Sequence, residues 1–372
     1  MSLTCLLIAD DLTGACDAAV PFAARGRATA ARLGFDGDAD GLDVLAVTTE
    51  SRALPATALR GVFERTARAL AGVESRILFK KIDSTLRGNV GMEVALAAEA
   101  FACDAAIVTP AFPAMNRIVE AGRLRVAGAQ FAPIEMAAFW RAQGLTCLHV
   151  PPEGLDAALS AGARFVSVDA ASDADLDAIV RRGLGSARRI LWAGSAGLAS
   201  ALARVGQASW PALPKAGQEA CPTNARTTPV LFCLGSDHAV TLEQERNLIG
   251  ARGALALDAL TAAPERIAAA LACGRHVALR IPYGRVGLER ARQLFHGLCG
   301  AWMLTGGDTA SLVCRALDAA GIQLHHEVAP GIPRGAIVGG PFHGAPVVTK
   351  SGGFGAPDAL IRIADYFTCP LG

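Results

Sequence analysis

Short, continuous runs of apolar residues alternate with alanine-rich stretches along almost all of the 372 residues. Apolar runs without polar alternation are typical of strands buried on both faces of a mostly parallel sheet. Regular alternation of such strands with helix-length stretches predicts an α/β fold with helices on both faces of the sheet. The predicted strands are residues 3–9, 44–48, 77–81, 105–108, 146–150, 165–168, 190–193, 230–234, 254–257, 277–281, 302–305, 336–338 and 347–349. The predicted helices are residues 56–71, 92–101, 173–182, 197–205, 241–251, 264–272, 288–299, 309–320 and 358–366.

One segment interrupts this alternation. Residues 206–229 contain four prolines and no apolar period, as expected for a linker between two domains. The sequence therefore predicts an N-terminal domain at 1–206, a linker at 207–228 and a C-terminal domain at 229–372. Both domains have an ordinary size. The alternative is a long surface loop inside a single domain.

Composition excludes several classes of protein. Apolar residues make up 52% of the chain and charged residues 19%, which excludes a disordered protein. The formal net charge is +1 and there is no block of basic residues, so binding to nucleic acid or to an anionic membrane is disfavoured. No apolar run reaches the ~20 residues of a membrane span. The first residues lack the basic segment of a signal peptide, and the ten cysteines are scattered, so we expect a cytoplasmic protein.

In the N-terminal half, polar side chains follow the predicted strands. Asp10 and Asp11 come directly after the first strand, before a helix that Thr13 could cap. Further polar residues at strand ends are Arg52, Lys81, Asp83, Ser84, Thr85, Arg87 and Arg117. Arginine and lysine would bind a carboxylate, and aspartate would accept hydrogen bonds from hydroxyls. The pattern predicts a site for a small, hydroxylated, anionic ligand. The alternative is that Asp11 and Asp83 only cap helices and that Arg52 is solvated.

In the C-terminal half, the predicted strands end in glycine-rich loops. Such loops expose backbone N–H groups and helix N-termini to anions, so several at one sheet edge predict a polyphosphate site. Lys350 falls in a near match to the P-loop, but Thr349 stands where that motif has glycine and the lysine ends a strand, so a true P-loop is excluded. We still expect Lys350 to point at phosphates. The predicted site residues are Ser236, Gly306, Gly307, Asp308, Thr309, Lys350, Gly352, Gly353, Phe354 and Gly355.

Taken together, these segments resemble the four-carbon acid sugar kinases. The matching stretches are ADDLTGACD (9–17), KKIDSTLRGNVG (80–91), PAFP (110–113) with Arg117, AGSAGLA (193–199), LGSDHAVTLEQ (234–244), TGGDTA (305–310) and VTKSGGFG (348–355). They occur in the family's order over nearly the whole chain. The resemblance implies an N-terminal domain that binds the sugar acid, a C-terminal domain that binds ATP, and a cleft between them.

The resemblance further implies ATP- and Mg²⁺-dependent phosphorylation of the terminal hydroxyl of a four-carbon acid. The form of the KIDSTLRGN motif favours D-threonate or D-erythronate over 3-oxotetronate. Arg52 and Lys81 would then hold the substrate carboxylate, while Asp11, Asp83 and Ser84 would bind its hydroxyls, and Asp10 would also belong to the substrate site. Asp308 is the predicted base, with Asp11 as the alternative. Asp308 could instead be a metal ligand or a helix N-cap.

Two departures from the family pattern lie in the sugar-binding half. Asn116 stands where the family has glycine before the arginine at 117, and the segment before Gly144 lacks the family's acidic, proline-containing stretch. Two other functions remain as alternatives, a non-catalytic sensor of a sugar acid or nucleotide and a dehydrogenase. The dehydrogenase is disfavoured because no G-x-G-x-x-G follows the first strand. The sequence leaves the oligomeric state open, including a homo-oligomer.

Overall fold

The structure, a computed structural model, describes residues 2–35, 37, 39–127, 132–207 and 228–368. Most of the predicted linker lies outside these ranges. Among the helices they contain, none is both long enough and apolar enough to span a membrane.

Within the described residues, the strands are β1 (Ser2–Ala9), β2 (Thr29–Arg32), β3 (Val44–Thr48), β4 (Glu74–Lys81), β5 (Ala105–Thr109), β6 (Arg117–Glu120), β7 (Arg123–Val126), β8 (Ile134–Glu135), β9 (Leu148–Val150), β10 (Phe165–Val168), β11 (Ile190–Gly194), β12 (Val230–Leu234), β13 (Leu255–Asp258), β14 (Val277–Arg280), β15 (Ala301–Thr305), β16 (Gly321–Ala329), β17 (Ile332–Val338) and β18 (Pro346–Lys350). The α-helices are α1 (Leu12–Ala23), α2 (Ala56–Ala69), α3 (Val90–Ala100), α4 (Met136–Ala142), α5 (Leu155–Ser160), α6 (Asp173–Leu184), α7 (Ala196–Gly206), α8 (Ala239–Arg252), α9 (Pro264–Ala272), α10 (Leu288–Phe295), α11 (Gly307–Ala316) and α12 (Ala359–Thr368).

The chain forms two compact units. Unit 1 comprises Met1–Thr29 and Gly34–Ala212, and unit 2 comprises Ala30–Leu33 and Leu213–Gly372. A short piece of the N-terminal half, most of β2, is therefore part of the second unit. The predicted α/β class, with mostly parallel sheets flanked by helices, is confirmed.

Unit 1 is built on a parallel sheet with the strand order β3-β1-β4-β11-β5-β10-β9. The connection after β1 leads to β3 on one side, and the connection after β4 leads to β5 on the other side. Because such crossovers are right-handed, α1 and α3 lie on opposite faces of the sheet. Their packing partners agree, since α1 contacts α7 whereas α3 contacts α2. The carboxyl ends of β1 and β4 therefore form a topological switch point, where open α/β sheets bind ligands.

Unit 2 has the strand order β13-β14-β12-β15-β18-β17-β16-β2. The first five strands in this order are parallel, and β17 is antiparallel to its neighbours β18 and β16. On one face, α8 and α12 cover a core that includes Phe232, Met303 and Leu360. On the other face, α10 packs against α9 and α11. Since α8 leaves β12 in one direction and α11 leaves β15 in the other, these two strands form the switch point of unit 2.

The sequence analysis missed β2, β16 and the small antiparallel sheet of β6, β7 and β8. These strands are half-exposed or short, and their sequences are mixed rather than continuously apolar. At β16, for example, exposed and half-buried residues such as His325 and His326 follow a buried start. A pattern tuned to doubly buried strands does not detect them.

Gly321 lets β2 approach β16 within unit 2. A Cβ atom at position 321 would lie 2.1 Å from the carbonyl oxygen of Ala31, which is a backbone atom that cannot swing aside. We expect Gly321→Ala to lower the free energy of unfolding by about 1–3 kcal/mol, the usual cost of overpacking. Urea denaturation measures the change.

Gly250 is the matched control. It lies inside α8 with no atom within 4 Å of an added Cβ, so Gly250→Ala should stabilise the protein by about 0.5–1 kcal/mol. An equal effect of the two substitutions would contradict the close approach of β2 to β16.

Candidate functional site

Two adjacent carboxylates follow β1, and one arginine binds both. Arg52, beyond the end of β3, donates through Nε to Asp10 Oδ2 (2.7 Å) and through Nη2 to Asp10 Oδ1 (2.9 Å). Its remaining nitrogen forms an ion pair with Asp11. Asp11 is also the N-cap of α1, accepting from Gly14 N (2.5 Å) and from the Thr13 hydroxyl (3.1 Å). Thr13 is thus not the cap. The Arg52 side chain, which is 28% exposed, pairs with both aspartates instead of being fully solvated.

This geometry limits how Arg52 could contact a substrate, and the predicted contact stays a prediction. The bidentate face of the guanidinium, which a ligand carboxylate would need, is occupied by Asp10. The positive charge of Arg52 lowers the pKa of Asp10 against the opposing effect of burial. Asp10 and Asp11 raise the pKa of Arg52 in turn. We infer that Arg52 holds the two carboxylates in place, and that a ligand could contact only the part of the guanidinium that the aspartates leave exposed.

Asp83, beyond the end of β4, organises the loop after it. One oxygen accepts from Thr85 N (3.1 Å), Thr85 Oγ1 (2.5 Å) and Arg87 Nε (3.0 Å), while the other accepts from Arg87 Nη2 (2.7 Å). These bonds and the charges of Arg87 and Arg52 lower the pKa of Asp83 despite its burial. Asp83 is therefore ionised at neutral pH and shapes the loop instead of capping a helix.

Two neighbours of this cluster retain hydrogen-bonding capacity for a ligand. Lys81 is 5% exposed, and among the described residues its ammonium donates only to the Ile82 carbonyl, at 2.9 Å. The Ser84 hydroxyl, also buried, has no hydrogen-bond partner within the described part of the chain. An ammonium has three donors, so Lys81 keeps two. Lys81 and Ser84 therefore fit an anionic, hydroxylated ligand better than Arg52 does.

A buried ion pair beneath this edge was not found from the sequence. Lys80 is fully buried and its ammonium lies 2.7 Å from Glu93 Oε2 on α3. Ser51 donates to the other Glu93 oxygen at 2.6 Å, and its hydroxyl lies 2.8 Å from that of Thr49. This chain of contacts fixes the loop that carries Arg52. The available signal was Lys80 directly after the apolar run 77–79 of β4, together with Glu93 in the mostly apolar α3.

Asn116, the departure from the family pattern, has left-handed backbone angles (φ 56°, ψ 40°). Asparagine tolerates this conformation better than most residues that carry a Cβ. The substitution for glycine therefore preserves the turn that leads into Arg117. The Arg117 guanidinium donates to the Met115 carbonyl at 2.5 Å, and burial lowers the pKa of Arg117 while the charge of Asp83 opposes that shift.

In unit 2, the glycine loops meet at the switch point of β12 and β15. Thr309 Oγ1 occupies the space beside Gly235, where an added Cβ would lie 1.7 Å away. Likewise, a Cβ on Gly352 would lie 2.0 Å from Ser236 Oγ. The loops after β12, β15 and β18 are thus in direct contact because these positions lack side chains. The predicted grouping of Ser236, Thr309 and Gly352 is what the structure brings together.

Asp308 lies in the first turn of α11, which begins two residues earlier than expected. The N-cap is Gly306, with a positive φ of 96° and no side-chain cap bond. Asp308 is exposed, so its carboxylate faces solvent at the positive end of the helix. The N-cap alternative for Asp308 is therefore wrong, and a functional role for this side chain stays a prediction.

Lys350 and Phe354 do not have the surroundings expected of ligand contacts. The Lys350 ammonium is buried and donates to the carbonyls of Ser351 (3.1 Å) and Phe354 (3.2 Å), inside the loop. Phe354 is itself only 7% exposed. The predicted direct contact of Lys350 with phosphate is not supported, because its donors point at the backbone of its own loop.

Thr241 and Gln244 on α8 were missed as partners of this loop. Both are fully buried, and with Leu248 they occupy positions i, i+3 and i+7 on the covered face of the helix. Gln244 Nε2 donates to the carbonyls of Phe354, Gly355 and Ala356 at 2.9–3.1 Å. The signal in the sequence was two polar side chains on an otherwise apolar helix face.

If Arg52 neutralises the carboxylates, its removal should unfold the edge of unit 1. We expect Arg52→Met to lower the free energy of unfolding by about 3 kcal/mol, because it leaves Asp10 and Asp11 buried without a counter-charge. Urea denaturation measures this loss. Arg60→Met is the control, since Arg60 pairs with Glu99 on the exposed surface and should cost nothing measurable. Equal stability of the Arg52 variant and wild type would refute the role.

Comparisons with known proteins match a different domain family to each half of the chain. The family of sugar-binding N-terminal domains matches residues 5–146 and 141–202, and the family of nucleotide-binding C-terminal domains matches residues 284–360. A D-threonate kinase of Bordetella bronchiseptica is 38% identical, covering 96% of each chain. A D-erythronate kinase of Heliobacterium modesticaldum is 28% identical, covering 97% of this chain and 96% of the relative.

A solved structure also matches over nearly the full length. It is a Bordetella bronchiseptica protein of a domain family of unknown function, crystallised with bound citrate as a domain-swapped dimer. It is 32% identical, covers 98% of each chain and has a TM-score of 0.50. With two domain families matched in order and full-length relatives of this kind, the chain belongs to the four-carbon acid sugar kinase family.

Proposed function

We propose that the protein is an ATP-dependent kinase that phosphorylates the terminal hydroxyl of D-threonate. The observation that carries this proposal is the buried cluster of charged and hydroxyl side chains at the switch point of unit 1. The 38% identity to a D-threonate kinase supports the choice of acid. D-Erythronate and 3-oxotetronate are the alternative substrates.

One cation of the cluster is available to the carboxylate of the acid. Four carboxylates, Asp10, Asp11, Asp17 and Asp83, stand against four cations, Arg52, Lys81, Arg87 and Arg117. Among the described residues Lys81 forms no ion pair, and it keeps two donors for the carboxylate of the acid. In this proposal Lys81 binds that carboxylate, and the Ser84 hydroxyl and the outer oxygens of the aspartates bind the substrate hydroxyls.

The loops of unit 2 would hold the phosphates of ATP. The first-turn amides of α11, from Gly307 to Thr309, have no partners within the helix, and the helix dipole favours an anion there. The N-terminal part of such a helix, entered through a glycine with positive φ, is a common phosphate site. A cleft in which the acid and ATP meet stays a prediction.

Mg²⁺ is part of the proposal. In the described ranges, no group of three His, Cys, Asp or Glu side chains could hold a metal by itself. Mg²⁺ in nucleotide sites takes most of its ligands from phosphates and water and needs only one or two protein carboxylates. The exposed carboxylate of Asp308 beside the phosphate loops fits that requirement. Bound there, the ion would neutralise charge that develops on the transferred phosphoryl group.

Asp308 is also the proposed acceptor of the substrate proton. Phosphoryl transfer relies mostly on positioning and charge stabilisation, with one group to take the hydroxyl proton. The alternative base, Asp11, already accepts hydrogen bonds from Gly14 and Thr13 and pairs with Arg52. These contacts favour a structural role for Asp11, and the exposed position of Asp308 in the first turn of α11 makes it the better candidate.

We also propose that the protein assembles as a homo-oligomer, on the support of the domain-swapped dimer of the Bordetella bronchiseptica relative. Multi-angle light scattering tests this directly. A mass of about 38 kDa, that of one chain, would exclude it.

An ATP-dependent screen of four-carbon acids tests the proposed function. ADP release should follow the addition of D-threonate, and the product should carry phosphate on its terminal oxygen, as read by ³¹P NMR. Preference for D-erythronate or 3-oxotetronate would correct the substrate and keep the reaction. Binding of the acid and ATP without turnover would instead identify a sensor.

Asp308→Asn tests the base. Loss of a general base should lower kcat by roughly 100-fold or more with little change in the KM for ATP. Loss of a metal ligand should instead raise the Mg²⁺ concentration needed for half-maximal rate, and excess Mg²⁺ should recover part of the activity. Steady-state kinetics over a Mg²⁺ series separates the two.

Asp318→Asn is the matched control, because Asp318 is an exposed aspartate of unit 2 that pairs with Arg292 on the surface. Wild-type kinetics for Asp308→Asn would remove Asp308 from the mechanism.

A further inference from the structure

A buried lysine in unit 2 has no carboxylate partner. Lys350 ends β18 and is fully buried, and among the described residues no Asp or Glu lies within ion-pair distance. Burial lowers the pKa of Lys350 to about 7. An ammonium is costly to bury unless dipoles or charges compensate it, so its position needs an explanation.

The compensation comes from the carbonyls of the SGGFG loop, residues 351–355. Lys350 Nζ donates to the carbonyls of Ser351 (3.1 Å), Gly352 (3.3 Å) and Phe354 (3.2 Å). From α8, Thr241 Oγ1 donates to Gly352 O at 2.7 Å, and Gln244 Nε2 donates to Phe354 O at 3.0 Å. Three side chains from two elements therefore pull the carbonyls of one loop toward the interior of unit 2.

The orientation of the carbonyls fixes the orientation of the amides. In a planar trans peptide, C=O and N–H point in opposite directions, and no described peptide bond is cis. Because the carbonyls of Ser351 and Gly352 face Lys350, the N–H groups of Gly352 and Gly353 face away from it. Neither N–H has a hydrogen-bond partner among the residues that the structure describes. Two adjacent free amides of this kind form a concavity that binds anionic oxygens.

The loop after β12 borders these amides. Gly352 is in contact with Ser236, and a Cβ on Gly353 would lie 3.2 Å from His238 Nε2. A side chain at position 352 would clash with Ser236, and one at position 353 would press on His238, so either would displace the loop after β12 from these amides. The two glycines therefore keep the amides open toward the loops already assigned to the nucleotide.

We propose that Lys350, Thr241 and Gln244 are positioning residues, which bind phosphate indirectly by turning the Gly352 and Gly353 amides toward it. The inference rests on the proposed nucleotide site. It further explains why the loop of residues 351–355 has the conformation that this site requires. Lysine suits this task because its three donors are shared among the three carbonyls and, at 3.5 Å, the Thr241 hydroxyl, and its charge lies behind the amides.

Thr241→Val is the most discriminating variant, because it removes one hydroxyl and keeps the shape of the side chain. The Kd for ADP, measured by isothermal titration calorimetry on the full chain, should rise at least fivefold. Thr349→Val is the matched control. Thr349 is a buried threonine next to Lys350 whose hydroxyl has no hydrogen-bond partner among the described residues, so its loss should leave the Kd for ADP within twofold of wild type.

Lys350→Met and Gln244→Met extend the test to the other two donors. We expect Lys350→Met to raise the Kd for ADP at least 20-fold and Gln244→Met to raise it about tenfold, while the KM for the acid stays within twofold. Lys350→Arg, which retains charge and donors, should recover most of the affinity. If these residues only stabilised the fold, their substitution would lower the melting temperature and would change the Kd for ADP and the KM for the acid to a similar extent. If Lys350→Met does not fold, the comparison of Thr241→Val with Thr349→Val still tests the positioning role.

The outcomes separate this inference from the function on which it rests. If wild type binds ADP and both threonine variants bind it with the wild-type Kd, the positioning role is overturned. The kinase proposal is then unaffected. Equal weakening in both threonine variants also overturns it, because the effect would then not follow the bond to Gly352. Failure of wild type to bind ADP or ATP at all overturns the nucleotide site and the positioning role together.

Discussion

The pairing of Arg52 with Asp10 and Asp11 is the interaction on which the edge of unit 1 at the ends of β1 and β4 depends. Two adjacent carboxylates at the end of a buried strand repel each other and lose hydration, so they stay ionised only with a cation in contact. Arg52 supplies that cation from the neighbouring strand end, and Asp11 in turn caps α1. The start of the first helix, the loop after β3 and the charge of the site are therefore set together.

Beneath this edge, a second ion pair fixes the loop that carries Arg52. Lys80 and Glu93 neutralise each other out of contact with solvent, and Ser51 connects Glu93 to the loop. Adjacent lysines on one strand thus have different tasks. Lys80 faces one side of the sheet and supports the loop, whereas Lys81 faces the other side and keeps donors for a ligand. This alternation follows from the pleat of the strand.

In the proposed function, unit 2 has the opposite task, the binding of a polyanion. Its loops offer backbone N–H groups, and the one lysine in the VTKSGGFG motif lies behind the loop rather than in front of it. Backbone amides are fixed donors that need no reorganisation when charge develops, which is how preorganised sites stabilise transition states. The glycines are required because neighbouring loops lie where Cβ atoms would be, as Gly235 and Gly352 illustrate.

The sequence by itself determined the α/β class, most strand positions and the edges that carry polar residues, because these follow from local periodicity and from the rule that loops after parallel strands share one edge. The seven motifs, taken together and in their order along the chain, were also enough to indicate the family. The sequence did not determine which polar side chains form hydrogen bonds or ion pairs with each other. From the sequence, Arg52 and Lys350 were both predicted to contact ligands. A basic residue at a strand end can bind a substrate anion, a neighbouring carboxylate or a row of carbonyls, and the sequence does not distinguish these partners. Only the tertiary structure decided between these partners, since it brings Asp10 and the loop carbonyls within hydrogen-bond distance of the two side chains and buries them there. The assignment of β2 to the second unit has the same origin, because a strand's pairing partner depends on contacts between residues about 290 positions apart, such as Ala31 and Gly321, which no local pattern encodes.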